Sequence, residues 1–158
     1  MLEPFFRWLG AFEVSKAIGE SLWIYPVIQA FHLVFLAILA GAILIVDLRL
    51  LGTGMVRQPL SQVARDARPW LFIGLIGMVA TGVPQLMSNW SRQYYSEFFW
   101  QKMYFLLAAL VFTFTVRLYM TRGGTTGSTT AAQKLAGLVS IVLWGGVVVS
   151  GRLIGLFT

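Results

Sequence analysis

The chain has 158 residues, 58% of them hydrophobic and only 11% charged, whereas a soluble domain is roughly a quarter charged, so the composition is that of an integral membrane protein with one compact domain. Twelve Lys and Arg against six Asp and Glu give a net charge of +6, but the cations form no stripe interleaved with stacking aromatics, which excludes a nucleic-acid surface. Cysteine is absent, which excludes disulfides, thiolate metal sites, iron–sulfur clusters and cysteine nucleophiles.

Residues 1–20 mix Phe5, Phe6, Trp8, Leu9, Phe12 and Ile18 with Glu3, Arg7, Glu13, Lys16 and Glu20. That alternation predicts a short amphipathic helix in the membrane interface. Residues 21–158 read as a transmembrane domain. A spanning helix needs ~20 apolar residues, and spans are predicted at about 22–46, 70–87, 98–116 and 135–157. The first has no small-residue cleavage site after it and reads as a retained span, not a signal peptide. Aromatics mark the ends: Trp23 and Tyr25, Trp70, Trp90, Tyr94 and Tyr95, Phe98 to Trp100, and Tyr119. Short connections predict an all-α, up-down four-helix membrane bundle preceded by the interfacial helix. The linker Gly123 to Thr130 reads as flexible and lacks a phosphate-loop ending.

Arg49, Arg57, Arg65, Arg68, Arg117, Arg122 and Lys134 fall at one end of the bundle. Arg7, Lys16, Arg92, Lys102 and Arg152 fall at the other, with all the glutamates. The positive-inside bias then predicts the first set on the cytoplasmic face and both termini on the outer face.

His32 is the sole histidine and lies within the first apolar run. Polar groups at that depth are functional candidates by default. Residues i, i+4 and i+7 share a helix face, so Tyr25, Gln29 and His32 form a stripe descending from the outer surface. At 1.5 Å per residue His32 lies ~15 Å down, near the midplane. Thr81, Gln85 and Ser88 form a matching stripe on the second span, Met78 lies a turn deeper, and Trp144 reaches similar depth from the fourth. Together they predict an outward-opening polar pocket.

Three roles are open to His32. It is a haem or metal ligand, with Met78 or a neighbouring subunit completing the site; it binds a quinone, lipid headgroup or other small ligand together with Gln29; or it bonds a facing Thr, Gln or carbonyl and holds helices together. Pro26 and Pro84 are potential kink sites that would widen the pocket, or simply lie near helix ends.

Asp47 and Arg49 close the first span, and Arg117 lies at matching depth on the third. An Asp47–Arg117 clamp is one reading; the favoured one has Arg49 and Arg117 snorkelling to phosphates and setting topology. Arg152 either pairs with Glu20 or Glu97, anchors to lipid, or meets an anionic ligand at the pocket mouth. Gly151 and Gly155 make a GxxxG pair, Gly146 and Ser150 a second small pair, and packing inside the bundle is favoured over a dimer face. Paired carboxylates and a Ser/His/Asp set are missing from the spans, which argues against hydrolysis. Interrupted helices and midplane charges of the transporter kind are not evident either.

The run Trp23 to Leu33, Gly41, Asp47-Leu48-Arg49-Leu50-Leu51-Gly52, then Pro69-Trp70, Thr81-Gly82, Lys102 and Trp144 to Arg152, resembles a family of small bacterial four-span membrane proteins of unknown function. It is also loosely similar to membrane cytochrome and copper-resistance-type bundles, whose intramembrane histidines bind haem. The third span ends Phe112 to Arg117 with no histidine, so that haem site does not carry over. The expected function is a non-catalytic accessory or scaffold subunit of an inner-membrane complex linked to electron transfer or oxidation at the outer face. Its partners would be lipid and other subunits or its own copies. The alternatives are a haem b- or quinone-binding redox protein built on His32, and a lipid- or small-ligand-binding module.

Overall fold

The computed structural model describes residues 2–122 and 128–157 and is all-helical over them. Residues 123–127, the core of the predicted Gly-rich linker, lie outside the described residues. Two short helices, α1 (Glu3–Gly10) and α2 (Glu13–Glu20), lead into α3 (Ile24–Leu51) and α4 (Leu60–Ser88). A short α5 (Trp90–Tyr94) follows, then α6 (Glu97–Phe112), a π-helical turn (Thr113–Arg117), α7 (Leu118–Thr121) and α8 (Ala131–Phe157). Four helical stretches, Ile24–Leu51, Leu60–Ser88, Glu97–Thr121 and Ala131–Leu156, are long and apolar enough to cross a membrane. The chain is thus a multi-pass membrane helical bundle.

The helices outrun the predicted spans. An apolar run marks only the part of a helix immersed in hydrocarbon, whereas backbone hydrogen bonding continues until a cap stops it. For α3 the stop is Gly52, at φ 76° in the left-handed region. Its N–H bonds to the Arg49 carbonyl, and those of Thr53 and Gly54 to Leu48. At the start of α8, Thr130 and Gln133 form a reciprocal capping box: the Gln133 side chain accepts from the Thr130 N–H at 3.0 Å and the Thr130 hydroxyl from the Gln133 N–H at 3.3 Å. Pro26 falls in the first turn of α3, where its missing N–H costs nothing. Pro69 and Pro84 lie inside α4.

Two buried clusters hold the bundle. Leu39, Ala42 and Ile43 of α3 pack with Leu71, Ala109, Trp144 and Val147 at mid-depth. Val46 and Leu50 pack with Leu60, Val63 and Ala67 toward the end away from the termini. Large apolar side chains such as Phe31, Ile76, Leu107 and Val142 remain exposed. Lipid is their solvent, so packing contacts and polar bonds between helices carry the specificity.

At the terminal end the two N-terminal helices pack on the bundle. Phe6 is buried against Tyr94, Phe99 and Trp100, and the Ser15 hydroxyl donates to the Met87 carbonyl of α4. Phe5, Trp8 and Phe12 stay exposed on the other face. The segment is therefore docked on the bundle by one face and presents aromatics with the other.

Candidate functional site

The seam between α3 and α4 is set by small residues on α4. A Cβ at Gly74 would lie 2.8 Å from the backbone of Leu39, and one at Gly77 would overlap the Phe35 ring. A turn further toward the termini, a Cβ at Gly82 would lie 3.3 Å from Cε1 of His32. This close approach brings the half-buried His32 onto Thr81, with Nδ1 2.7 Å from the hydroxyl oxygen. The Thr81 hydroxyl donates its one proton to the Gly77 carbonyl at 2.7 Å. With the hydroxyl donating there, the matching His32 tautomer carries its hydrogen on Nδ1, donates to Thr81 and leaves Nε2 as a lone-pair acceptor.

The other members of the sequence stripe surround this bond unevenly. Tyr25 and Gln29 are half-buried on the same face of α3. Gln85 is buried, but its side-chain amide is turned back to donate to the Thr81 backbone carbonyl at 3.1 Å, and the Gln85 backbone carbonyl receives the Gln93 side-chain amide at 3.0 Å. Met78 packs against the mid-depth apolar cluster. Trp144 is buried in that cluster, and its indole N–H donates to the Thr113 hydroxyl at 3.1 Å. Trp144 is thus a core residue tying α8 to the π-turn, a correction to its expected place in the pocket. The aromatic bulk needed to fill the four-helix crossing draws it inward.

Sequence reasoning placed Lys102 among the interfacial charges. In the structure Lys102 is half-buried, and its stem passes within about 3.6 Å of where a Cβ at Gly151 would stand. Among the described residues no ion pair or hydrogen bond holds it. The available signal was its position five residues inside α6, where a charge facing lipid would be costly.

A second polar cluster lies in the other half. Arg117 Nε donates to Asp47 at 3.0 Å, Arg117 Nη2 to the Ile43 carbonyl at 2.9 Å, and the Ser140 hydroxyl to the second Asp47 oxygen at 2.7 Å. Asp47 and Ser140 are fully buried and Arg117 is 5% exposed. The clamp therefore forms, and the favoured snorkelling reading is corrected for both arginines. The π-turn buries Thr113 and Arg117 while leaving Phe114, Thr115 and Val116 exposed, so the guanidinium turns inward where a carboxylate awaits it. Arg49, 1% exposed, donates from Nε to the Gln58 carbonyl at 2.9 Å and staples the α3–α4 loop. Ser140 and Thr113 were missed because serine and threonine are unremarkable in membrane helices.

Two further expectations are corrected. Arg152 is exposed and pairs with neither Glu20 nor Glu97; the ion pairs among the described residues are Arg7–Glu3 and Arg117–Asp47. Gly155 meets nothing within 4 Å, and Gly151 meets only the Lys102 stem. The second small pair does pack inside the bundle, with Gly146 against Phe105 and Ser150 buried, and α8 also closes at Gly137 against the Asp47 carbonyl and Leu50. A GxxxG spacing presents one face of a helix, but helix rotation decides whether that face meets a neighbour.

Among the described residues no group of three or more His, Asp or Glu is placed to hold a metal ion. Residues 5–157 match the model of a family described as a family of unknown function (DUF6644). No curated protein and no solved structure matches the chain, so the looser likeness to cytochrome and copper-resistance bundles gains no support.

Proposed function

Because the chain belongs to the DUF6644 family, whose function is unknown, its role is read from its own residues, and we propose that it is an accessory subunit of a bacterial inner-membrane electron-transfer complex that holds a quinone-class ligand at His32. The observation that carries this reading is the His32–Thr81 bond, which with Nδ1 donating leaves Nε2 as an acceptor for a quinol hydroxyl. Lys102, half-buried on α6 and in no ion pair or hydrogen bond among the described residues, offers a cationic group at the same end of the bundle for a quinone carbonyl. The same Nε2 is a potential iron or metal ligand, which a Soret band would reveal. Lipid-facing Gly145 and Gly155, both with open space around them, offer another membrane helix a close approach, which suits a subunit of a larger assembly or a homo-oligomer.

Purification from native membranes in mild detergent tests this. Wild-type protein is expected to carry extractable quinone and a co-purifying subunit. His32→Ala should lower quinone occupancy about tenfold, the loss of roughly 1.4 kcal/mol of binding, and Lys102→Gln should lower it as well. A Soret band lost in His32→Ala would replace quinone by haem. Quinone content unchanged in both variants, or a bare monomer, would overturn the proposal.

The proposed orientation has both termini outside. Topology is set during insertion, when Arg49 and Arg117 have not yet paired and still count with Arg57, Arg65, Arg68, Arg122 and Lys134. Since the chain has no cysteine, single-cysteine variants give a clean readout. In intact cells a membrane-impermeant maleimide should label Lys16→Cys and Arg92→Cys but spare Gln62→Cys and Lys134→Cys; the reverse pattern would invert the assignment.

A further inference from the structure

Beyond the closest approach of α3 and α4 at Gly74, in the half away from His32, a cleft of about 540 Å³ opens between the two helices. That volume falls in the range of small-ligand sites, about 300–1,000 Å³. Its wall on α3 is apolar, with Ile38, Gly41 and Ile45, while Gln58 and Asp66 line it nearer the α3–α4 loop, with Trp70 alongside on α4. At 1.5 Å per residue, Ile38 and Gly41 lie roughly 20 and 15 Å along α3 from its end at Leu51. The cleft thus runs from headgroup level, where Trp is favoured, into the hydrocarbon.

The loop beside it is fixed in place. Arg49 bonds the Gln58 carbonyl, and Met55, which also lines the cleft, holds φ at 51°, an unusual value for a residue with a side chain. Asp66 is the one charged side chain that lines the cleft; it is exposed and among the described residues takes part in no ion pair. A headgroup carrying only negative charge would meet the Asp66 carboxylate. One carrying an ammonium finds a partner in it.

We propose that the α3–α4 cleft is a binding site for one phosphatidylethanolamine-class lipid, with an acyl chain against Gly41 and Ile38 and the ammonium on Asp66. The deep wall is shaped for this occupant: a Cβ at Gly41 would meet nothing within 4 Å, so the wall is open to a chain without displacing protein.

Native mass spectrometry of the full chain, reconstituted with equimolar phosphatidylethanolamine and phosphatidylglycerol and then stripped in detergent, reads the site directly. One phosphatidylethanolamine adduct should outlast phosphatidylglycerol by about tenfold, on the order of one bidentate headgroup contact. Gly41→Leu, which fills the cleft from a position with no protein neighbour, should abolish that adduct, and Ala37→Phe provides a second filling variant. Asp66→Asn should keep an adduct but equalise the two lipids. Equal retention of both lipids by the wild type, a phosphatidylethanolamine adduct surviving in both filling variants, or an unchanged preference in Asp66→Asn would each overturn the assignment.

Discussion

Arg117→Leu is expected to destabilise the bundle by about 3–5 kcal/mol, the usual loss when one partner of a buried ion pair is removed. The cost comes from what is left behind. Asp47 is fully buried, and without Arg117 it keeps only the Ser140 hydroxyl. Asp47→Leu should cost a similar amount by stranding the guanidinium, which would retain only the Ile43 carbonyl. The double variant should recover most of the loss, because apolar groups of similar size replace a buried pair nearly neutrally. Reversible unfolding in a detergent–SDS titration, followed by tryptophan fluorescence, measures all three. Single-variant losses within the roughly 0–1 kcal/mol of an exposed pair would show that water reaches the clamp.

The second large effect is expected at Gly74. A Cβ there meets Leu39 backbone at 2.8 Å, and backbone cannot rotate aside, so Gly74→Ala must push α3 from α4. Overpacking of this kind costs about 1–3 kcal/mol. It should also loosen the His32–Thr81 bond, which spans the same seam at 2.7 Å. By contrast, Gly145→Ala and Gly155→Ala meet nothing within 4 Å and should gain roughly 0.5–1 kcal/mol from helix propensity. The same SDS titration distinguishes them. If Gly155→Ala destabilised the isolated chain more than Gly74→Ala, the α3–α4 seam would not be the tightest packing in the bundle.

These two sites show what was legible beforehand. Asp47, Arg117 and His32 stand out in the chain because charged and imidazole groups are rare in apolar runs, and the 3.6-residue period puts Tyr25, Gln29 and His32 on one face. Thr81 was placed on a facing stripe by the same period. Their partners were not legible to the same degree. Ser140 and Thr113 look like ordinary helix residues until the rotation of α6 and α8 is known, and Lys102, though a charge inside α6, shows no partner in the sequence. Gly74 and Gly77 carry no GxxxG spacing, whereas Gly151 and Gly155 do, yet only the former pair meets another helix at close range.

The sequence by itself determined the membrane class, the four apolar helices long enough to cross and the position of each polar group along its helix, because hydrocarbon admits only long apolar helices and period and rise are constants of the helix. Tertiary structure alone decided which polar groups meet. In lipid every apolar face is equally tolerable to the solvent, so hydropathy cannot orient a helix about its axis. The orientation comes from steric fit at Gly74 and Gly146 and from the π-turn that carries Arg117 to Asp47. That fit turned a lone histidine into the partner of Thr81 across the α3–α4 seam.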